Sequence, residues 1–316
     1  MNIPWLESVR EAWQSSLAQG RSPHALMITG AAGTGKRSAA AWLAGQHLDL
    51  IPSDSLPQFP LVIPQHADLR WITTPEGKQS IGIDQIRALV GDLGLTSYVG
   101  GGKVAVIEPA DAMTTNAANS LLKTLEEPPG DALLILVADR PGRLPATVYS
   151  RCQRMSVRLP SRSDGLAWLS HARPGVTWSK VLAEAGNAPL AALRGQDRID
   201  DTNLMAGDFA AVALGQAAPL AVAAKWAKYE PEFVLVWLGR QVQSCITRAA
   251  GGESMGVSAV LGDSVLGRID RRNLFCYLDI INRLRAQPAG SFNVQLTFEC
   301  LLIDWSGGLQ TVFGAK

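Results

Sequence analysis

Ala25-Leu26-Met27-Ile28-Thr29 runs straight into Gly30-Ala31-Ala32-Gly33-Thr34-Gly35-Lys36, and the apolar stretch Ser38 to Leu43 follows. A short apolar run, a glycine-rich turn ending in Gly-Lys and an apolar helical stretch predict a strand, a phosphate loop and a helix, in that order. The glycines let backbone amides converge on phosphate oxygens, and the helix offers its positive end. Lys36 is then placed to reach the β and γ phosphates. Strand, spacing, Gly35-Lys36 and helix agree on a P-loop rather than a chance glycine turn.

The chemistry of that loop is incomplete. The residue after the lysine should carry a hydroxyl to hold Mg²⁺, and here it is Arg37, whose guanidinium cannot ligate a cation. Ser38 lies one position further, about 100° round a helix axis, and so points elsewhere. A hydrolytic site also needs an acidic pair at a strand tip, one carboxylate for the metal and one to polarise water. The strand-like run Val104 to Ile107 ends in Glu108-Pro109-Ala110-Asp111, which leaves Glu108 for a metal but puts Pro109 at the water-polarising place. Two independent parts of the machinery are missing, which predicts a fold kept for assembly rather than hydrolysis.

Working outward, Leu133 to Ala138 is a second apolar run bounded by charged residues and, like Val104 to Ile107, reads as a strand buried on both faces. Ile83, Ile86, Leu89, Val90 and Leu93 recur at helical spacing, as do Ala117, Ala118, Leu121, Leu122 and Leu125. Pro128 and Pro129 stop the second of these helices, since proline lacks the amide hydrogen. From about Ser22 to Leu159 the alternation predicts β-α-β units around a parallel sheet. Leu50 to Gln65, with four prolines, reads as an irregular surface loop. Short helices around 166–171, 179–184 and 189–194 predict a small helical domain. Beyond Asp208 the rows Val234, Leu238, Val242, Ile246 and Val294, Phe298, Leu302, the last extended by Leu301 and Trp305, predict a helical bundle. The expected division is 1–160, 161–207 and 208–316.

The 316 residues are 47% apolar and 18% charged, and no run approaches the roughly 20 apolar residues that cross a bilayer. Met1 to Gln19 mixes Trp5, Glu7, Arg10 and Glu11, which is not a secretion signal. Lys and Arg total 29 against 28 for Asp and Glu, so the net charge of +1 supplies no general attraction for a nucleic-acid backbone. Cys152, Cys245, Cys276 and Cys300 are far apart, which argues against a zinc ribbon or disulfide framework and fits a reducing, cytoplasmic setting. The last three fall in apolar helices and are expected to be buried core thiols. His24, His47, His66 and His171 lack ligand spacing, so structural or solvent roles are expected and no metal site is.

Asn116-Ala117-Ala118-Asn119-Ser120-Leu121-Leu122-Lys123-Thr124-Leu125-Glu126-Glu127-Pro128-Pro129 and Ser150-Arg151-Cys152-Gln153 resemble motifs of the clamp-loader branch of the AAA+ proteins. His24-Ala25, Ile83 to Arg87, Gly186 to Leu190 and Asn293 to Leu296 are similar to the same branch, and the resemblance covers essentially the whole chain. It implies an α/β P-loop core of RecA-like AAA+ type, a small helical lid and an all-α collar that joins five subunits into an open ring. Such rings serve DNA replication by the DNA polymerase III holoenzyme, a DNA-directed DNA polymerase, using ATP to open the sliding clamp and place it on primed DNA. The implied partners are ATP-binding clamp-loader subunits and a delta subunit, with clamp and primed DNA reached through the complex. The implied setting is the cytoplasmic, nucleoid-associated replisome. Arg37 and Pro109 match the non-hydrolysing end subunit, or stator, with no ATPase activity of its own.

The resemblance also assigns the site. Arg151, with motif neighbours Ser150 and Cys152, is implied to reach across a subunit interface to the neighbour's γ phosphate as an arginine finger; the alternative is a surface arginine in an ordinary ion pair. Gly30, Gly33, Thr34, Gly35 and Lys36 form a vestigial P-loop that either binds phosphate weakly or leaves Lys36 solvated or paired to an acidic neighbour. Glu126 and Glu127 read as the wet face of their helix. Arg140, Arg143, Arg151, Arg154 and Arg158 make a basic stretch that either lies near DNA or is solvated. Relatives commonly carry a four-cysteine zinc module where this chain has Leu50 to Gln65, so no zinc is expected. Gly186 to Leu193 lacks the lid arginine of active relatives, and Ala138-Asp139 departs from their polar phosphate sensor. Two other functions remain open: an active P-loop ATPase with an unusual metal site, and an interaction module outside replication.

Overall fold

The computed structural model describes residues 1–20, 23–75, 78, 80–251, 269, 271–287 and 291–309. The expected start at Ser22, and residues 252–268, 270, 288–290 and 310–316 of the expected 208–316 segment, lie outside them. Contacts group the chain into two compact units, Met1–Val176 with Asn187–Ala191, and Thr177–Gly186 with Ala192–Lys316.

The first unit is an α/β P-loop domain. In chain order it holds α1 (Glu7–Ala18), β1 (Ala25–Thr29), α2 (Lys36–His47), β2 (Leu69–Ile72), α3 (Ile83–Leu93), β3 (Val104–Ile107), α4 (Thr115–Glu126), β4 (Leu133–Ala138), α5 (Ala146–Tyr149), β5 (Gln153–Ser156) and α6 (Arg162–Ala172). All five strands are parallel, in the order β2-β3-β4-β1-β5. Parallel neighbours require crossover connections, and α2, α3 and α4 supply them. In β4, Leu134, Leu136 and Ala138 pack with Ile86 and Leu89 of α3 and Ala117, Ala118, Leu121 and Leu125 of α4. Leu133, Ile135 and Val137 are buried on the opposite face, the side on which α2 contacts the sheet. Leu121 is fully buried, and truncating such a leucine costs about 2–5 kcal/mol. Thr114 caps α4 by accepting the Ala117 amide at 3.2 Å, and the helix ends before Pro128-Pro129, as its sequence predicts.

Strands β1, β3 and β4 and helices α3 and α4 lie where periodicity places them. Two edge strands gave no apolar signal: β2 is Leu-Arg-Trp-Ile, and in β5 only Met155 is buried while Gln153, Arg154 and Ser156 are exposed. Leu50 to Gln65 has no helix or extended strand, as expected, yet it is pinned. Ile3 donates its amide to Pro57 at 2.9 Å, Phe59 donates to the Met1 carbonyl at 2.8 Å, and Trp42 Nε1 donates to Ser55 Oγ at 3.0 Å.

The second unit is helical: α7 (Trp178–Glu184), α8 (Pro189–Gly195, here from Ala192), α9 (Ile199–Ala213), α10 (Pro219–Trp226), α11 (Pro231–Ala249), α12 (Arg271–Ala286) and α13 (Val294–Ser306). Its core is aromatic. Phe209 stacks on Trp305 with centroids 4.2 Å apart, and Trp226 meets Trp237 edge-on at 5.6 Å. The predicted rows point inward, with Val234, Leu238, Val242, Phe298, Leu301, Leu302 and Trp305 buried. The expectation of three core thiols needs correcting. Cys245 is buried, but Cys276 is half-buried and Cys300 is exposed. Cys300 sits two residues, about 200°, round the helix from the inward Phe298, so the row that buries 298, 301, 302 and 305 turns it outward. Among the described residues no helix is long and apolar enough to cross a membrane.

Candidate functional site

In a parallel sheet all carboxyl ends share one edge, and ligands bind there where the strand order reverses. Here the reversal lies at β1 and β4. Lys36 follows β1, Asp139 follows β4 and Glu108 follows β3, so three adjacent strands deliver one cation and two carboxylates to the same edge. Gly33 has φ +80, and a Cβ there would collide with Ala191, so only glycine permits the close approach of loop and strip Asn187–Ala191. Leu190 donates its amide to the Gly33 carbonyl at 3.1 Å, and Trp5 Nε1 donates to the Thr34 carbonyl at 2.7 Å. Thr34 is fully buried and spends its hydroxyl on the Ala31 carbonyl at 2.8 Å.

Lys36 is only 4% exposed, and a buried ammonium needs partners for its three hydrogens. It has three: the carbonyls of Gly30 and Ala31, each at 2.7 Å, and Asp139 Oδ1 at 2.6 Å. Lys36 is thus paired to an acidic neighbour rather than solvated. Arg37 Nε meets Glu108 Oε2 at 2.8 Å, and Trp71 Nε1 donates to the same oxygen at 3.2 Å. Asp139 is held in turn, its amide donating to Asp111 Oδ1 at 3.0 Å.

This donor set does not fit a magnesium-bound nucleotide. The metal's hydroxyl ligand is replaced by a guanidinium that neutralises Glu108, the one carboxylate at the strand tip, and Lys36 is already satisfied by a carboxylate of the same chain. Charge is balanced within the loop, and no chemical step at this P-loop follows from it.

Arg151 lies elsewhere. It lies two residues before β5, at the amino-terminal edge of the sheet, opposite the edge that carries Lys36. Its Nε donates to Glu126 Oε1 at 2.6 Å, its Nη2 pairs with the same oxygen, and its Nη1 donates to the Thr147 carbonyl at 3.0 Å. Glu126 is therefore more than a wetted helix face, and Arg151 does engage an ion pair on its own chain. Ser150 donates to the same Thr147 carbonyl at 3.2 Å, which closes the turn. Cys152 is buried, and burial pushes its thiol up to about 12, so it packs as a neutral group. Beside it Leu125 receives a hydrogen bond of 3.1 Å from His24 Nε2, and His47 Nε2 reaches the Asp131 carbonyl at 2.9 Å, both structural roles. Arg154 stacks on the Tyr149 ring at 5.1 Å, while Arg140, Arg143 and Arg158 are exposed. Among the described residues no group of three or more His, Cys, Asp or Glu could hold a metal ion.

The structure thus separates the predicted site residues into two sets at opposite sheet edges. The partners that sequence reasoning did not assign are Asp139 for Lys36 and Glu126 for Arg151. Asp139 lies just past β4 and Glu126 is the last residue of α4, and only topology tells which cation each meets.

Residues 5–161 match the family described as DNA polymerase III, delta subunit. The DNA polymerase III subunit delta' of Pseudomonas aeruginosa is 36% identical over 200 residues, covering 60% of this chain and 60% of that one. That of Escherichia coli K12 is 33% identical over 201 residues, covering 60% and 56%. The match thus spans 60% or less of either relative's length. A solved structure, a DNA polymerase III gamma subunit-related protein from Thermotoga maritima, aligns over 96% of this chain and 98% of that one at 19% identity with a TM-score of 0.49. Residues 5–161 belong to the DNA polymerase III, delta subunit family, and the two relatives named above are delta' subunits.

Proposed function

We propose that the chain is a non-hydrolysing subunit of the DNA polymerase III clamp loader, a stator that helps an ATP-driven ring place the sliding clamp on primed DNA. The observation that supports this reading is the Arg37–Glu108 ion pair at 2.8 Å, in which the residue at the sequence position of the metal-ligating hydroxyl engages the carboxylate that follows β3. Pro109 has no group to polarise water, and Lys36 is paired internally. The partners in this reading are ATP-binding clamp-loader subunits and a delta subunit, met in the cytoplasmic replisome, with clamp and primed DNA reached through the complex. Within the same reading the chain divides into core 1–160, lid 161–207 and collar 208–316, and it folds without zinc.

Arg151 acts in trans. It sits on the edge away from its own P-loop, and the charge it carries would stabilise phosphoryl transfer on a neighbouring subunit's ATP. Two measurements test the proposal. The purified chain should release no phosphate from ATP, and the reconstituted complex carrying Arg151→Ala should assemble but hydrolyse ATP more slowly with clamp and primed DNA present. An arginine finger is worth about 10³–10⁵ at its own site, but a ring with several sites keeps the others, so the loss is partial. Phosphate release by the isolated chain that Lys36→Ala abolishes would refute the non-hydrolysing role.

A further inference from the structure

We propose that Glu126 is a positioning residue for Arg151, its carboxylate fixing the guanidinium so that the remaining donors face a neighbouring subunit's triphosphate. The inference rests on the reading that Arg151 acts in trans. A guanidinium has five N–H donors. Glu126 Oε1 takes one from Nε and one from Nη2, and the Thr147 carbonyl takes one from Nη1. One hydrogen on each terminal nitrogen is left, which is the pair needed to span two phosphate oxygens.

One holder, the Thr147 carbonyl, belongs to the turn of α5 that leads into Arg151, and the other, Glu126, comes from the end of α4, so a tertiary contact completes what the local turn begins. Arginine is otherwise a long, freely rotating side chain, and an unfixed one spreads its charge over many rotamers. Arg151 is 33% exposed and Glu126 is 50% exposed, and an ion pair that wet adds little to stability, so its consequence is geometric. Helix electrostatics do not explain the carboxylate either. Glu126 is the last residue of α4, beside the negative end of the helix dipole, where a cation is favoured. Leu125, the residue before it, is anchored by His24, which fixes the helix end from which Glu126 reaches.

The test uses the reconstituted complex with the ATP-binding subunits of the same organism, the clamp and primed DNA, and measures ATP hydrolysis against ATP concentration. Glu126→Ala should lower kcat by about threefold to tenfold and move KM less than twofold, because positioning acts on the transition state. Glu126→Gln keeps an acceptor for Nε and should recover a large part of the rate. Adding Glu126→Ala to Arg151→Ala should slow the ring no further, since the two act as one unit. Glu127→Ala, at the neighbouring exposed carboxylate, is the control. If Arg151→Ala slows the ring while Glu126→Ala leaves it unchanged or faster, the positioning role is wrong and the trans-acting role stands. Additive losses in the double variant would also overturn it. If Arg151→Ala itself has no effect, both readings fall.

Discussion

Replacing Asp139 by alanine should turn a self-contained loop into one that seeks an anion. Lys36 would keep its carbonyl bonds to Gly30 and Ala31 but lose the carboxylate at 2.6 Å. Breaking a fully buried pair costs about 3–5 kcal/mol, because the surviving charge stays desolvated. Asp139, however, is 48% exposed, so water replaces part of the lost interaction and the cost falls to about 1–2 kcal/mol. In a unit of roughly 180 residues each kcal/mol moves Tm by about 2–4 °C, which predicts a drop of about 2–8 °C. Asp139→Asn keeps an oxygen acceptor and should lose about half as much. The assay is thermal unfolding with and without inorganic tripolyphosphate. An anion that binds the emptied place with Kd about 1 mM returns about 1.4 kcal/mol at 10 mM, while the unaltered chain should not respond. The reasoning fails if Asp139→Ala melts with the parent, or if tripolyphosphate stabilises parent and variant equally.

Thiol labelling at pH 8 should modify exposed Cys300 first and half-buried Cys276 next. Cys152, pushed up to about 12 by burial, and Cys245, pushed up to about 11, should react only on unfolding, since a thiol titrating near 12 is ionised to about one part in 10⁴ at that pH. Asp68 is buried, which pushes its carboxyl up, but the Tyr98 amide, the Ser97 hydroxyl and the Val99 amide hold it below the ordinary 3.8. A carboxylate depressed in the fold stabilises above its unfolded value and ceases to as pH falls through its folded one. Asp68→Asn should therefore be less stable at pH 7, with the gap narrowing as pH falls below 3.8, and a gap that stays unchanged on acidification below that value would count against this account.

The buried centre of the first unit was legible because hydrophobic burial writes itself into composition. Leu133 to Ala138 carries no polar residue, and α4 repeats its apolar row and then meets two prolines. The P-loop was equally plain, since its glycines and lysine answer to backbone geometry. The sheet edges were not legible: β2 and β5 are held by neighbours rather than by their own apolar character. The ion pairs lay out of reach for another reason. Arg37 and Glu108 are 71 positions apart, and Arg151 and Glu126 are 25 apart, so each pairing is made by topology. Sequence named Arg37 as a missing metal ligand but did not say which carboxylate it neutralises.

The polarity that hid β5 has a consequence for solubility. A strand on the rim of a sheet offers unpaired amides and carbonyls, which are a template for adding a strand from another molecule. β5 is four residues long, turns only Met155 inward and presents Arg154, whose guanidinium is engaged on Tyr149. A second copy pairing there would have to bring its own Arg154 near this one and strip water from Gln153 and Ser156. The strand is short and mostly polar, so self-association through this edge is disfavoured.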